Sequence, residues 1–126
     1  MALEINIAIA DDHAIFKQGI EAFLKFVPGM NLMIKASNGE ELLKSIDKNQ
    51  PDVVLLDLKM PVMDGLSTLP VLQCQYPKIK VIIFTLVEDD FTMNMAFKAG
   101  AFNYLGKTSD PNLLIKAIRE CYKIAG

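Results

Sequence analysis

Apolar residues fall along the chain in two kinds of run that take turns. Short stretches rich in β-branched and other apolar residues occupy positions 5–10, 31–36, 53–56, 78–85 and 101–106. Residues 53–56, Val-Val-Leu-Leu, contain no polar break at all and stop at Asp57. Such a run reads as a strand buried on both faces, the mark of a central strand in a parallel sheet. Between these stretches the apolar residues recur at helical intervals. Phe16, Ile20, Phe23, Leu24 and Val27 make one stripe, and Leu42, Leu43 and Ile46 a second. Leu114, Ala117, Ile118 and Cys121 line the inner face of a final helix.

Start and stop signals agree with this division. Asp12 is placed to cap the first helix, and Pro28-Gly29 ends it. Ser37-Asn38-Gly39-Glu40 reads as a capping box, with Ser37 as the cap. Asn49-Gln50-Pro51 breaks the second helix, and Met60-Pro61 followed by Asp64-Gly65 makes a loop and a third helix start. That helix should run to about Tyr76, starting late or kinking at Pro70. Glu88-Asp89-Asp90 suits a helix N-terminus, and Gly100 ends that helix. Ser109-Asp110-Pro111 sets a cap before a proline at the first helical position. Five strands alternating with five helices imply an α/β fold, a parallel sheet covered by helices on both faces.

Composition narrows the function classes. At 126 residues, 52% hydrophobic and 22% charged, the chain makes one ordinary domain with a sizeable core. A net charge of -2 leaves no basic face for nucleic acid, so specific DNA binding by this domain is not expected. There is no run of 18 apolar residues to span a membrane and no signal-peptide pattern, which makes a cytoplasmic location the default. Cys74 and Cys121 fit no metal spacing and read as small core hydrophobes in a reduced compartment.

Four of the strand candidates end in chemistry: Asp11-Asp12, Asp57, Thr85 and Lys107. In a doubly wound sheet those carboxyl ends share one edge, where ligands bind. Each residue also has an ordinary reading. Asp57 can turn the chain, Asp12 can cap a helix, Thr85 can close a strand and Lys107 can lie in solvent. Their joint placement favours a site. Three crowded carboxylates call for a cation, and oxygen donors point to Mg²⁺ or a similar hard ion such as Mn²⁺. A lysine and a threonine across the same pocket suit a phosphoryl group. A carboxylate beside Mg²⁺ is a credible nucleophile toward phosphorus. His13, the one histidine, reads as a residue near a helix start rather than part of the chemistry.

These residues carry a family resemblance. Asp11-Asp12, Asp57 with Met60-Pro61-Val62-Met63-Asp64-Gly65, Thr85, and residues 100–107 ending in Lys107 resemble the receiver domains of two-component response regulators. The resemblance covers essentially the whole chain as one receiver domain, residues 1–126, with no DNA-binding domain inside it. Ala10-Asp11-Asp12-His13 with Gly19 is similar to the subfamily joined to LuxR-type (NarL-like) DNA-binding domains. The resemblance implies a flavodoxin-like five-stranded sheet in the order 2-1-3-4-5. It implies Asp57 as phosphoacceptor from a sensor histidine kinase or phosphotransfer protein. Asp12 and Asp57 would hold Mg²⁺ with the backbone carbonyl of Lys59, and Asp11 close by. Lys107 and Thr85 would bind the phosphoryl group, and Tyr104 would turn inward when Thr85 moves. Homodimerisation on phosphorylation is a further possibility it carries. The chain would catalyse only its own phosphorylation and dephosphorylation.

Three positions depart from the family pattern. Leu86 follows Thr85 where a smaller residue is frequent, and narrows access to Asp57. Thr108 follows Lys107 where many members have proline after a cis bond, and Asn103 replaces a frequent glycine. Two other readings compete. An aspartyl-phosphate phosphatase lacks support because Asp57-Leu58-Lys59 has no second Asp two residues on. A free-standing single-domain receiver that regulates a partner protein without DNA is the alternative to a part of a transcription regulator.

Overall fold

The computed structural model describes residues 4–125. In chain order the elements are β1 Ile5–Ala10, α1 Ala14–Leu24, β2 Met30–Ala36, α2 Gly39–Lys48, β3 Val53–Leu56, α3 Gly65–Gln75, β4 Lys80–Thr85, α4 Asp90–Lys98, β5 Asn103–Gly106 and α5 Pro111–Ala125. All strands are parallel, in the order β2-β1-β3-β4-β5. This is the flavodoxin-like arrangement that the family resemblance implies.

The sheet divides the core into two layers because side chains alternate along each strand. Ile7, Ile9, Val53, Leu55, Ile82 and Phe84 pack with Leu24, Leu114 and Ile118 of α1 and α5. Ala8, Ala10, Val54, Leu56, Val81 and Ile83 pack with Leu42, Ile46, Leu69, Leu72 and Ala96 of α2, α3 and α4. Both faces of β3 are therefore covered, which is why residues 53–56 tolerate no polar residue. Cys121 lies in the first layer, whereas Cys74 is exposed on α3, contrary to the expectation of two core cysteines.

The helix caps differ in detail from the sequence reading. Asn38, not Ser37, caps α2: its side chain accepts the Glu41 amide at 2.9 Å, and the Glu41 carboxylate accepts the Ser37 amide at 3.0 Å. The box is thus displaced by one residue. His13, not Asp12, is the N-cap of α1, and its side chain makes no capping bond. Asp64 and Asp89 cap α3 and α4 through the amides of Ser67 and Thr92, both at 2.8 Å. Pro70 lies within α3, which continues through it to Gln75.

The loop between β3 and α3 turns sharply against the end of the strand. The Met63 amide donates to the Pro61 carbonyl at 2.6 Å, closing a three-residue turn on Val62 at φ 66°. That conformation is unfavourable for a β-branched residue. Two residues later the Gly65 amide donates to the Leu58 carbonyl at 2.9 Å, and a Cβ there would lie 2.2 Å from the Asp57 carbonyl oxygen. Only glycine permits this approach, which holds the loop beside Asp57.

Val62→Gly should therefore raise stability by about 1 kcal/mol, since relief of the strained φ outweighs the added freedom of the unfolded chain. Gly65→Ala should lower it by about 1–3 kcal/mol through the forced displacement of the strand end. Urea denaturation of both variants checks the pair, and a destabilised Val62→Gly would show that the turn is not strained.

Candidate functional site

The parallel register sets the carboxylates level with one another. Ala10 pairs with Leu56 across β1 and β3, so Asp11 and Asp57 both emerge one residue past the paired strands. The Asp57 amide donates to the Ala10 carbonyl and the Asp11 amide to the Ala36 carbonyl, each at 3.0 Å. On the other side Thr85 pairs with Gly106, and the Lys107 amide donates to the Thr85 carbonyl at 2.9 Å. The four strand-end groups named from the sequence thus meet at one edge of the sheet.

Lys107 is the centre of the cluster. Its Nζ lies 2.6 Å from Asp11 Oδ2 and 2.8 Å from Asp57 Oδ2, with only 5% of the side chain exposed. The bond to Asp57 is directional, whereas Asp11 Oδ2 is held as an ion pair without hydrogen-bond geometry. The ammonium also stands 4.5 Å from the centre of the Phe16 ring. Burial alone would lower the lysine pKa, but the close carboxylates of Asp11 and Asp57 outweigh it and hold the pKa above its ordinary value. The second oxygen of Asp57, Oδ1, accepts the Leu58 amide at 2.7 Å.

One lysine does not balance the site. Asp11 and Asp57 are 1% and 4% exposed, and the half-exposed Asp12 adds a third negative charge. Buried carboxylates in excess of their cations are costly, so the arrangement has room for one more positive charge. Ligand atoms of Asp11, Asp12, His13 and Asp57 all lie within 4.8 Å of one another. The donor set, mostly carboxylate oxygen, fits a hard divalent cation such as Mg²⁺.

Beside Asp57 opens a cleft of about 450 Å³ lined by residues that include His13, Lys59, Thr85, Leu86 and Lys107. Leu86, 64% exposed, stands at this cleft as its position after Thr85 implies. Thr85 is buried, and its Oγ1 accepts the Val87 amide at 3.4 Å, a long and weak bond. Tyr104 is also buried, with its hydroxyl donating to the Val87 carbonyl at 2.6 Å and its ring 6.4 Å from that of Phe97. Burial, then the charges of Asp89, Glu88 and Asp57, push the Tyr104 pKa up. The ring points inward here. No peptide bond among the described residues is cis, so Lys107-Thr108 is trans.

The sequence reading missed His13. Its amide donates to Asp11 Oδ1 at 2.9 Å, and its Nδ1 stands 3.0 Å from the same oxygen, 3.6 Å from Asp12 Oδ1 and 3.3 Å from Lys107 Nζ. Its place directly after the Asp pair was the available signal.

Comparison with known proteins decides the family. Residues 7–119 match the response regulator receiver domain. The chain belongs to that family. This receiver is 32% identical over 116 residues to the transcriptional regulatory protein DegU of Brevibacillus brevis, covering 92% of the chain and 49% of DegU. It is 36% identical over 115 residues to the response regulator GacA of Pseudomonas viridiflava, covering 91% of the chain and 54% of GacA. The receiver thus spans about half the length of the curated relatives it matches. Among solved structures it resembles the receiver domain of the putative response regulator NarL from Mycobacterium tuberculosis, with a TM-score of 0.89 at 28% identity, covering 96% of the chain and 98% of that structure. Its relatives are response regulators of the NarL/LuxR type, as the residues around Asp11 implied. It is a receiver domain of two-component signalling, a family that works with histidine kinases and binds Mg²⁺ at an acidic pocket. No helix among the described residues is long and apolar enough to cross a membrane.

Lys107→Met should lower stability by about 3 kcal/mol, because it leaves Asp11 and Asp57 buried without their cation. Saturating Mg²⁺ should recover more stability in the variant than in the parent. Urea denaturation with and without Mg²⁺ measures both. The lysine's own contribution follows its raised pKa: it is complete below the ordinary value of 10.5 and is lost as pH rises through the higher folded value. A variant as stable as its parent without Mg²⁺ would remove Lys107 from the electrostatic balance.

Proposed function

We propose that this receiver accepts a phosphoryl group on Asp57 in a Mg²⁺-dependent reaction and is the regulatory part of a longer transcription regulator. The observation that carries the reading is the shared lysine, with Lys107 between Asp11 and Asp57 at 2.6 and 2.8 Å. Asp57 Oδ1 accepts the backbone amide of Leu58, while Oδ2 accepts the side-chain ammonium of Lys107, so Oδ2 is the oxygen we assign to phosphorus once Lys107 turns to the phosphoryl group. In transfer, Asp57 Oδ2 forms the new O–P bond while the P–N bond to the donor phosphohistidine of a sensor kinase or phosphotransfer protein breaks. Asp11, Asp12, Asp57 and the Lys59 carbonyl would hold Mg²⁺. When bound, the ion offsets the negative charge that the carboxylates and phosphoryl oxygens bring together.

The remaining residues act on the product. Lys107 gives up its carboxylate partners for phosphoryl oxygens, exchanging one charge-assisted bond for another. The Thr85 hydroxyl donates to the phosphoryl group, and its weak bond to Val87 makes that change inexpensive. Because Tyr104 bonds the same residue from the other side, a shift of the β4–α4 loop reaches the Tyr104 ring and the surface of α4, β5 and α5. Phe91, Met95 and Leu113 are exposed on α4 and α5. A surface altered there can change contacts with an output domain or with a second receiver. The twofold greater length of the transcription regulator DegU favours an attached output domain over a free-standing receiver. The chain then catalyses only its own phosphorylation and dephosphorylation.

Incubation with acetyl phosphate and Mg²⁺ should give one phosphoryl adduct by intact mass, absent in Asp57→Asn and absent when Mg²⁺ is chelated. An adduct that survives in Asp57→Asn would defeat the assignment. Reading the gene past codon 126 tests the output: a linker and a DNA-binding domain are expected, and a stop codon would favour the free-standing form. Tyr104→Phe should keep the adduct but reduce phosphorylation-induced amide shifts in α4, measured by NMR. Unchanged shifts would exclude the hydroxyl from the relay.

A further inference from the structure

His13 sits inside the cation pocket rather than beside it. We infer that its imidazole is a ligand there, and that it gives the pocket an affinity for borderline divalent ions, Mn²⁺ through Zn²⁺, that its carboxylates alone would not reach. The inference rests on the reading that the acidic pocket holds a divalent cation.

The geometry supports it first. Two ligands bound to one ion at about 2.1 Å stand roughly 3.0–3.4 Å apart in octahedral or tetrahedral sites. His13 Nδ1 stands 3.0 Å from Asp11 Oδ1 and 3.6 Å from Asp12 Oδ1, already near that spacing. An ion seated among these atoms needs small adjustments of side chains and no rearrangement of the backbone. The backbone is fixed in any case: the His13 amide donates to Asp11 Oδ1 at 2.9 Å, and the His13 carbonyl accepts the Lys17 amide at 3.1 Å to begin α1.

The ring is also uncommitted to the helix. His13 is the N-cap residue of α1, yet its side chain makes no capping bond. Its Nδ1 instead faces two carboxylates and the Lys107 ammonium. A single nitrogen can donate to Asp11 or accept from Lys107, but not both at once. Binding an ion resolves this conflict, because the neutral ring then offers its lone pair and the carboxylates offer oxygen to the same positive charge.

An independent observation lies deeper in the pocket. Asp11 is 1% exposed and its Oδ2 accepts no hydrogen bond, with only the Lys107 ammonium beside it as a counter-charge. The ammonium thus marks where positive charge belongs. An ion entering at Asp11 displaces it toward Asp57, the partner with which it has directional geometry.

Ligand chemistry sets the direction of selectivity. Mg²⁺ prefers oxygen and water and gains little from an imidazole, whereas the later first-row divalent ions gain substantially. His13 therefore adds to the binding of the second group and leaves the first nearly unchanged. Such ions would compete with Mg²⁺ for the carboxylates and make phosphorylation sensitive to the balance of divalent metals.

Co²⁺ is the probe, because it reports its ligands spectroscopically, and a single histidine in the chain leaves no ambiguity of assignment. The whole 126-residue chain is titrated by calorimetry with Co²⁺ and with Mg²⁺, in the parent, His13→Ala and His13→Gln. His13 is 60% exposed, so neither change threatens the fold. The parent should show contact-shifted imidazole resonances with Co²⁺. Both variants should lose them and bind Co²⁺ at least about tenfold more weakly, with Mg²⁺ affinity within about twofold. Equal Co²⁺ affinity in parent and His13→Ala, with Mg²⁺ binding intact, overturns this inference alone. Failure of the parent to bind either ion overturns the cation pocket itself, and this inference with it.

Discussion

Two buried carboxylates sharing one ammonium is the constraint around which this molecule is arranged. Asp11 and Asp57 come from strands that the register holds level, and Lys107 arrives from β5 two strands away from β3. None of the three is tenable alone at that depth. The cost of burying each charge is offset by its neighbours of opposite sign, in a setting that still carries more carboxylates than ammonium groups. The fold thus gathers more acid than base at one edge of its sheet.

Much of this was legible in the sequence because the two-sided sheet leaves a plain record. A strand covered on both faces must be apolar throughout, so Val53 to Leu56 announced themselves, and the first polar residue after them had to lie at the edge. The same reasoning located Asp11, Thr85 and Lys107. What made the site readable was the contrast between a continuous apolar run and the charged residue that ends it. A fold with solvent on one face of its sheet would have hidden those endings among ordinary alternation.

The details that escaped have a common physical origin. Each depends on the direction of a side chain rather than on its place in a pattern. Ser37 and Asn38 are both good caps, and only the approach of α2 selects Asn38. Asp12 and His13 both precede α1, and the chain gives the cap position to His13 while turning its ring to Asp11. Cys74 lies on α3 opposite the face that carries Gly65, Thr68, Leu69 and Leu72, and is exposed there. Tyr104 lies with its ring near that of Phe97 and its hydroxyl on the Val87 carbonyl, a placement no pattern of residues specifies. Periodicity determines which elements exist and which faces are buried, but rotamers and cap geometry are settled only once neighbouring elements are in place.

Val87 deserves to be seen as a coupling with two terminals. Its amide is read by the hydroxyl of Thr85 and its carbonyl by the hydroxyl of Tyr104. Neutral hydrogen bonds of this kind contribute about 1 kcal/mol each, net of water. An equilibrium governed by the two together, about 2 kcal/mol, would leave the opposite arrangement populated at roughly a few per cent without any stimulus. Under the proposed switching role, such a coupling would give a baseline output above zero and a response that is a change of odds. The long Thr85 contact, the weaker of the two, would then govern that baseline.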